Sequence, residues 1–210
     1  MLAAGALLLA ASPALAQDGH YMLDGAAVRI PAPAGYCAAG KAVDIYMANQ
    51  RQTNPAMVPD VVMALCGADS VTFDFFAVRA VREGPPTTLK ALLDELRRTM
   101  PEAQAMPSLV TPSAADQLNK RLSDALSANV TMNAGINPVG LDETCGYVAG
   151  VIHIEAAGGK TVDTAVIGCV TVIAKHPTYL FRYRPGTDRA KAMTAIPELK
   201  ALAIASGAGK

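Results

Sequence analysis

Between Val130 and Arg184 the chain reads as four β-strands in immediate succession, and this run constrains the fold more than any other feature. Val130, Met132, Ala134 and Ile136 alternate with Thr131, Asn133, Gly135 and Asn137, the period of a strand whose two faces meet different surroundings. Tyr147–Glu155, Thr161–Ile173 and Thr178–Arg184 follow. Their connections are too short for a crossover helix, so successive strands pair antiparallel as a meander. Within 146–173 both faces carry apolar residues, Val148 and Ile152 on one, Val151 and Ile167 on the other. A sheet apolar on both sides needs cover on both sides.

The rest of the chain supplies that cover. Ala27–Ile30 alternates as a short strand ended by Pro31 and Pro33. Residues 41–50 place Val43, Tyr46 and Met47 at helical spacing, and a short helix starting at Pro59 would gather Val61, Val62 and Leu65 before Gly67 stops it. Val71–Val81 reads as a strand with a phase break, which a bulge at Phe75-Phe76 would reconcile. Leu89, Leu92, Leu93, Leu96 and Met100 trace a helix closed by Pro101, and the Pro-rich stretch 101–112 reads as a surface loop. Ser113-x-x-Asp116 opens another helix in capping-box form, carrying Leu118, Leu122 and Leu126. A last helical segment over 187–205 is split by Pro197. The class is therefore α+β: a mainly antiparallel sheet of five to six strands with a meander in its C-terminal half, helices on its faces and two disulfides.

The disulfides follow from the first sixteen residues. An apolar run, Ser12-Pro13 and the small-x-small sequence Ala14-Leu15-Ala16 have the form of a signal peptide cleaved after Ala16. No Lys or Arg precedes the run, so its positive charge comes from the initiator amine or from residues upstream of Met1. Cleavage leaves no transmembrane anchor and directs a chain of ~194 residues to the periplasm or outside the cell. Residues 17–25 read as a flexible lead-in and 26–206 as one domain.

In an oxidising compartment Cys37, Cys66, Cys145 and Cys169 are most simply two bridges. A two-residue Gly158-Gly159 turn would leave Cys145 three positions from Cys169's partner, about 10 Å away and out of reach. A three-residue loop, Ala156–Gly158, sets Cys145 opposite Cys169, Val148 beside Val166 and Ile152 beside Val162. The predicted pairs are Cys145–Cys169 and Cys37–Cys66. Each closes a loop of roughly 25–30 residues, worth about 3–3.5 kcal/mol on the chain-entropy model.

Charge and motifs narrow the function mainly by exclusion. Eighteen basic and eighteen acidic residues balance, with no charge run longer than a pair, so neither nucleic acid nor an anionic membrane surface is indicated as a partner. There is no Cys-x-x-Cys, Gly-x-Ser-x-Gly, His-Glu-x-x-His or Gly-x-Gly-x-x-Gly, and the nine methionines are scattered, so no cofactor or metal is assigned. Four groupings remain as candidates. His153 and Glu155, two apart on one strand with Tyr147 and Val151, share a face and can hold a proton or a metal. Asp142 and Glu143 are adjacent carboxylates in the loop before Cys145, although adjacent loop acids are usually just solvated. Arg182 and Arg184, near Lys175, His176 and Arg189, share a face suited to an anion. Alternation with Tyr179, Phe181 and Tyr183 puts both arginines on a solvated side. His20 falls in the lead-in and His176 in a Lys-His-Pro loop.

The stretch Val28-Arg-Ile30-Pro31-Ala-Pro33-Ala-Gly35-Tyr36-Cys37, followed by Val61-Val-Met-Ala-Leu-Cys66, resembles small exported proteobacterial proteins of unassigned function. In order of elements the chain is also similar to the layered PsbP/Mog1-type accessory domains. These resemblances imply an envelope location and bring no catalytic residues. The leading expectation is an exported periplasmic accessory or interaction protein whose partner is an envelope protein or a small ligand. The alternative is a small envelope enzyme or metal-binding protein built on His153 and Glu155 with nearby acidic residues.

Overall fold

The computed structural model describes residues 17–210 apart from 72, 107, 127–129 and 157–158. The signal-like segment 1–16 and the loop residue Gly158 thus lie outside the described residues. The centre is a seven-stranded, wholly antiparallel sheet. Its strands are β3 (Tyr36–Cys37), β4 (Val61–Leu65), β5 (Phe75–Ala80), β6 (Val130–Leu141), β7 (Gly146–Ala156), β8 (Lys160–Ile173) and β9 (His176–Pro185), in the spatial order β3-β4-β5-β9-β8-β7-β6. The meander is β6 to β9, as the alternation required. The strand β5 then joins it through β9.

One face of the sheet is covered by α1 (Lys41–Thr53) and α2 (Leu89–Ala105). The first packs on Val62, Ala64, Phe75 and Ala77, and in the second Leu96 sits over Gly146. The other face carries the hairpin β1 (Gly19–Leu23) and β2 (Ala26–Ile30) together with α4 (Arg189–Met193) and α5 (Ile196–Ala205). Their Leu23, Ile30, Leu199 and Leu202 meet Met63, Phe76, Ile167 and Leu180 in the larger core. Cover on both faces explains why the central strands read as continuous apolar runs. Among the described residues no helix is long and apolar enough to cross a membrane.

The free edge of β6 is closed rather than exposed. Asn119, on α3 (Pro112–Leu126), accepts the Met132 N–H at 2.6 Å, and the Ser108 hydroxyl accepts from Ile136 N and donates to Ala134 O. Leu109 N donates to Ile136 O at 2.8 Å. These bonds occupy groups that would otherwise invite another strand. Of the stretch 101–112, expected to be a surface loop, residues 101–105 are helical, while the described residues between them and Pro112 form a largely exposed connection that bonds to the edge of β6. The helical part prolongs α2 past Pro101, because Ala103 continues the stripe that buries Leu93 and half-buries Leu96 and Met100.

Other corrections have equally local causes. Residues 17–25 are not a flexible lead-in: Tyr21 and Leu23 alternate into the core opposite Val28 and Ala26, across a two-residue Asp24-Gly25 turn. Both turn residues have positive φ (48° and 82°), the geometry that matches strand twist. The segment from Pro59 is strand β4, not a helix. Val61 and Met63 enter one core and Val62 and Ala64 the other, so helical and strand spacing could not be told apart in so short an apolar run. Phe75 and Phe76 need no bulge, since β5 starts at Phe75 and its register is regular, each ring entering a different covered face. A register shift occurs instead in β6, between Pro138 and Gly140.

Both disulfides are as expected, Cys37–Cys66 and Cys145–Cys169. The register of the β7–β8 hairpin is displaced by two residues. Ala156 pairs with Lys160 and Tyr147, not Cys145, stands opposite Cys169. The loop still has three residues, but Gly159 (φ 74°) takes the left-handed position. A slip of two preserves side-chain parity, so the faces are those anticipated. Cys145 lies just before β7, where Asp142 N donates to Cys145 O, and this bend brings its Cα to 5.3 Å from that of Cys169.

Candidate functional site

The register places His153 opposite Asp163, with Nδ1 and Oδ1 2.5 Å apart. Asp163 was absent from the expected set because the assumed register was two residues out. Glu155, the expected partner, is exposed at the end of β7 opposite Thr161 and Thr131. The imidazole lines a shallow cleft that also includes Asp116, Asn119, Asn133 and Arg189 among apolar neighbours. Ser108 also lines it, but its hydroxyl is committed to three backbone groups and is no free nucleophile. Tyr147 lies six positions along β7, about 20 Å away, and Asp142 and Glu143 lie beyond it. The histidine and the acidic pair therefore do not converge. Among the described residues no group of three or more His, Cys, Asp or Glu side chains is placed to hold a metal.

Asp142 is a structural carboxylate. It accepts from Thr144 N, Cys145 N and the Tyr147 hydroxyl at 2.8, 2.9 and 3.0 Å, and its other partner is Lys200, which also holds Glu143. Burial alone would raise the Asp142 carboxyl, but these donors outweigh it and hold the group below its ordinary value. A depressed carboxyl contributes stability that is complete above its unfolded value near 4 and is lost as pH falls through the folded value. Asp142→Asn is accordingly expected to lower the urea midpoint at pH 6–7 and to converge with the unmodified protein below about pH 4. Parallel urea titrations across that range measure it, and a constant gap would show that Asp142 does not carry the acid dependence.

Arg182 is not on a solvated face. It is 4% exposed, and its guanidinium lies 4.4 Å from the Phe76 ring centroid and 4.8 Å from that of Tyr36. It pairs with Asp74, donates to the Tyr36 hydroxyl and to Tyr183 O, and lies 3.8 Å from Glu198. Arg184 also faces Glu198, at 3.7 Å. In a sheet covered on both sides, alternation decides which layer a side chain enters, not whether it meets water. His176 corrects the same way: it is buried at the start of β9, its Nε2 2.8 Å from Asp24 at the tip of the first hairpin. His20 lies exposed on β1.

A more apolar cleft involves none of these groups. On the sheet face beneath α1, a cleft of about 430 Å³ runs obliquely across the strands, within the size range of small-molecule sites. Its walls are aromatic. Phe75 and Tyr183 stack at 4.4 Å between centroids, Tyr46 leans on Phe75 at 5.2 Å and Phe181 continues the row. Met132, Ile152 and Ile154 complete the floor, and exposed Met57 and Phe73 stand at the rim. Burial raises the Tyr46 phenol to about 12 and the Tyr183 phenol further, so both rings stay neutral. Thr164, 2% exposed, is among the lining residues, and its hydroxyl, itself out of contact with solvent, has no hydrogen-bond partner.

Sequence reasoning assigned Tyr179, Phe181 and Tyr183 to the core and so overlooked the cleft. The available signal was excess: three aromatics on β9, Phe73 and Phe75 on the neighbouring segment and Tyr46 on α1 exceed what α1 alone can cover. Comparison with known proteins adds no family to this geometry: no family model matches the chain, and no curated protein matches its sequence significantly.

Proposed function

We propose that this protein is an exported, non-catalytic accessory protein of the cell envelope that holds a small apolar ligand in the aromatic cleft under α1. The observation that carries the reading is the cleft itself, an aromatic-walled apolar space of about 430 Å³. Two disulfides agree with an oxidising compartment, and the signal-like N-terminal sequence is in keeping with export. A location in the periplasm, and kinship with small exported proteobacterial proteins or PsbP/Mog1-type accessory domains, belong to the same proposal.

A neutral, environment-sensitive dye tests it. Nile red is expected to bind the oxidised protein saturably, at one site per chain. Thr53→Trp, which fills the cleft from the half-exposed side of α1, is expected to weaken binding at least tenfold with an unchanged melting temperature. Ala77→Leu narrows the cleft from the sheet side and should act in the same direction. Non-saturable dye uptake, or dye binding unaffected by Thr53→Trp in a folded protein, would remove the cleft as a ligand site.

A further inference from the structure

This inference rests on the cleft being a ligand site and concerns which chemical group it recognises. We propose that the ligand is an uncharged apolar molecule with a carbonyl oxygen, which accepts hydrogen bonds from the Tyr46 and Tyr183 hydroxyls. The position of these phenols is the first argument. Tyr46 comes from α1 and Tyr183 from β9, both line the cleft, and both rings pack on Phe75, at 5.2 and 4.4 Å between centroids. A charge on Tyr46 would raise the Tyr183 phenol, so the two oxygens are near neighbours. Gln50, one helical turn along α1 from Tyr46, brings a side-chain amide to the same lining.

Availability is the second argument. The Tyr36 and Tyr147 hydroxyls donate to Asp74 and Asp142. Among the described residues those of Tyr46 and Tyr183 have no such partner: burial raises both phenols, aided at Tyr183 by its neighbour, with no hydrogen bond contributing. Both side chains are half-buried, and neither hydroxyl is sealed from solvent as that of Thr164 is. Each can therefore donate to a molecule in the cleft. A carbonyl oxygen has two lone pairs and accepts from both. In a lining that is otherwise apolar, such groups fix which ligand fits and how it lies.

Charge is the third. No carboxylate is among the described lining residues, and the one formal cation there, Arg79, is already engaged, with Met57 Sδ among its partners. The burial that keeps the phenols protonated acts against a carboxylate in the same place. An uncharged oxygen takes both hydrogen bonds without that cost.

Competition against bound Nile red, whose own affinity is first measured in each variant, compares a ketone with its hydrocarbon counterpart. Tyr46→Phe and Tyr183→Phe keep the rings and remove the hydroxyls. Each is expected to weaken benzophenone roughly fivefold, the worth of one hydrogen bond, and to leave diphenylmethane within about twofold. 4-Benzoylbenzoate, the same ketone with a carboxylate, should bind more weakly than benzophenone. Infrared difference spectra of bound benzophenone give a second readout, which needs no variant to fold: the carbonyl stretch should lie below its value in an alkane. Variants that weaken ketone and hydrocarbon alike, or neither, would overturn the carbonyl contact yet leave the cleft standing. So would a carbonyl stretch equal to that in an alkane. Tighter binding of 4-benzoylbenzoate would overturn the uncharged ligand. Nile red that binds and is displaced by neither benzophenone nor diphenylmethane overturns this class of ligand. Failure of Nile red itself to bind is instead the failure of the cleft reading.

Discussion

Replacing Cys145 and Cys169 together by alanine is expected to lower the stability of this protein by about 3 kcal/mol, the loop-closure term for a bridge of this span. The bridge joins residues 24 apart. For a chain of this size the loss corresponds to a fall of about 10 °C in melting temperature. Both cysteines are fully buried in the larger core, with Tyr147 and Ile167 as fellow members, so the alanines also leave a void there. The Cys37–Cys66 bridge spans 29 residues but joins the short edge strand β3 to the turn after β4, where Cys66 is half-exposed. Loop closure alone predicts nearly equal losses for the two bridges, so any excess for Cys145–Cys169 measures packing. Calorimetry of both double variants decides this. A loss below about 1 kcal/mol at Cys145–Cys169 would mean that loop closure does not govern its contribution.

Arg182→Met is expected to cost about 2–3 kcal/mol with little change in volume, because it strands the partners of a buried cation. Breaking a fully buried pair typically costs 3–5 kcal/mol. Asp74 is 31% exposed and recovers some hydration, which places the loss at the lower end. The Tyr36 hydroxyl donates to Asp74 and accepts from Arg182, so it keeps one bond and loses the other. The same variant forfeits the cation–π contacts to Tyr36 and Phe76. A double-mutant cycle with Asp74→Asn isolates the pair. The two changes together should cost less than their sum, since Asp74→Asn removes the carboxylate that Arg182→Met leaves unpaired. Strict additivity would show that Arg182 acts through its packing alone.

Period-two alternation made β6 to β9 legible, and short connections made them antiparallel neighbours. Helical stripes made α1, α2 and α5 legible. The errors arise where the sheet is covered on both sides. Val61–Leu65 reads as a helix because a short run apolar on both faces hides its period, and Phe75-Phe76 and Arg182 were interpreted as if one side of the sheet faced water. At β4, β5 and β9 it does not, and polarity there no longer reports direction. The Asp24-Gly25 turn between alternating runs was an available hairpin signal that the expectation of a lead-in obscured. His153 lies on a strand as its alternation indicated, yet its partner Asp163 depended on a register that two plausible glycines left open.

The amino-acid sequence by itself determined the class of fold, the meander, the helix stripes and both disulfide pairings, because these depend on spacing along the chain and on local geometry. Only the tertiary structure decided that a hairpin and two helices close one face while α1 leaves the other partly open. It alone assembled Tyr46, Phe75, Tyr183 and Thr164, from one helix and three strands, into a cleft with Arg79 among its lining residues. The physical reason is that a cavity is a shortfall of covering volume over a sheet. That quantity belongs to how layers fit together, and no stretch of sequence carries it.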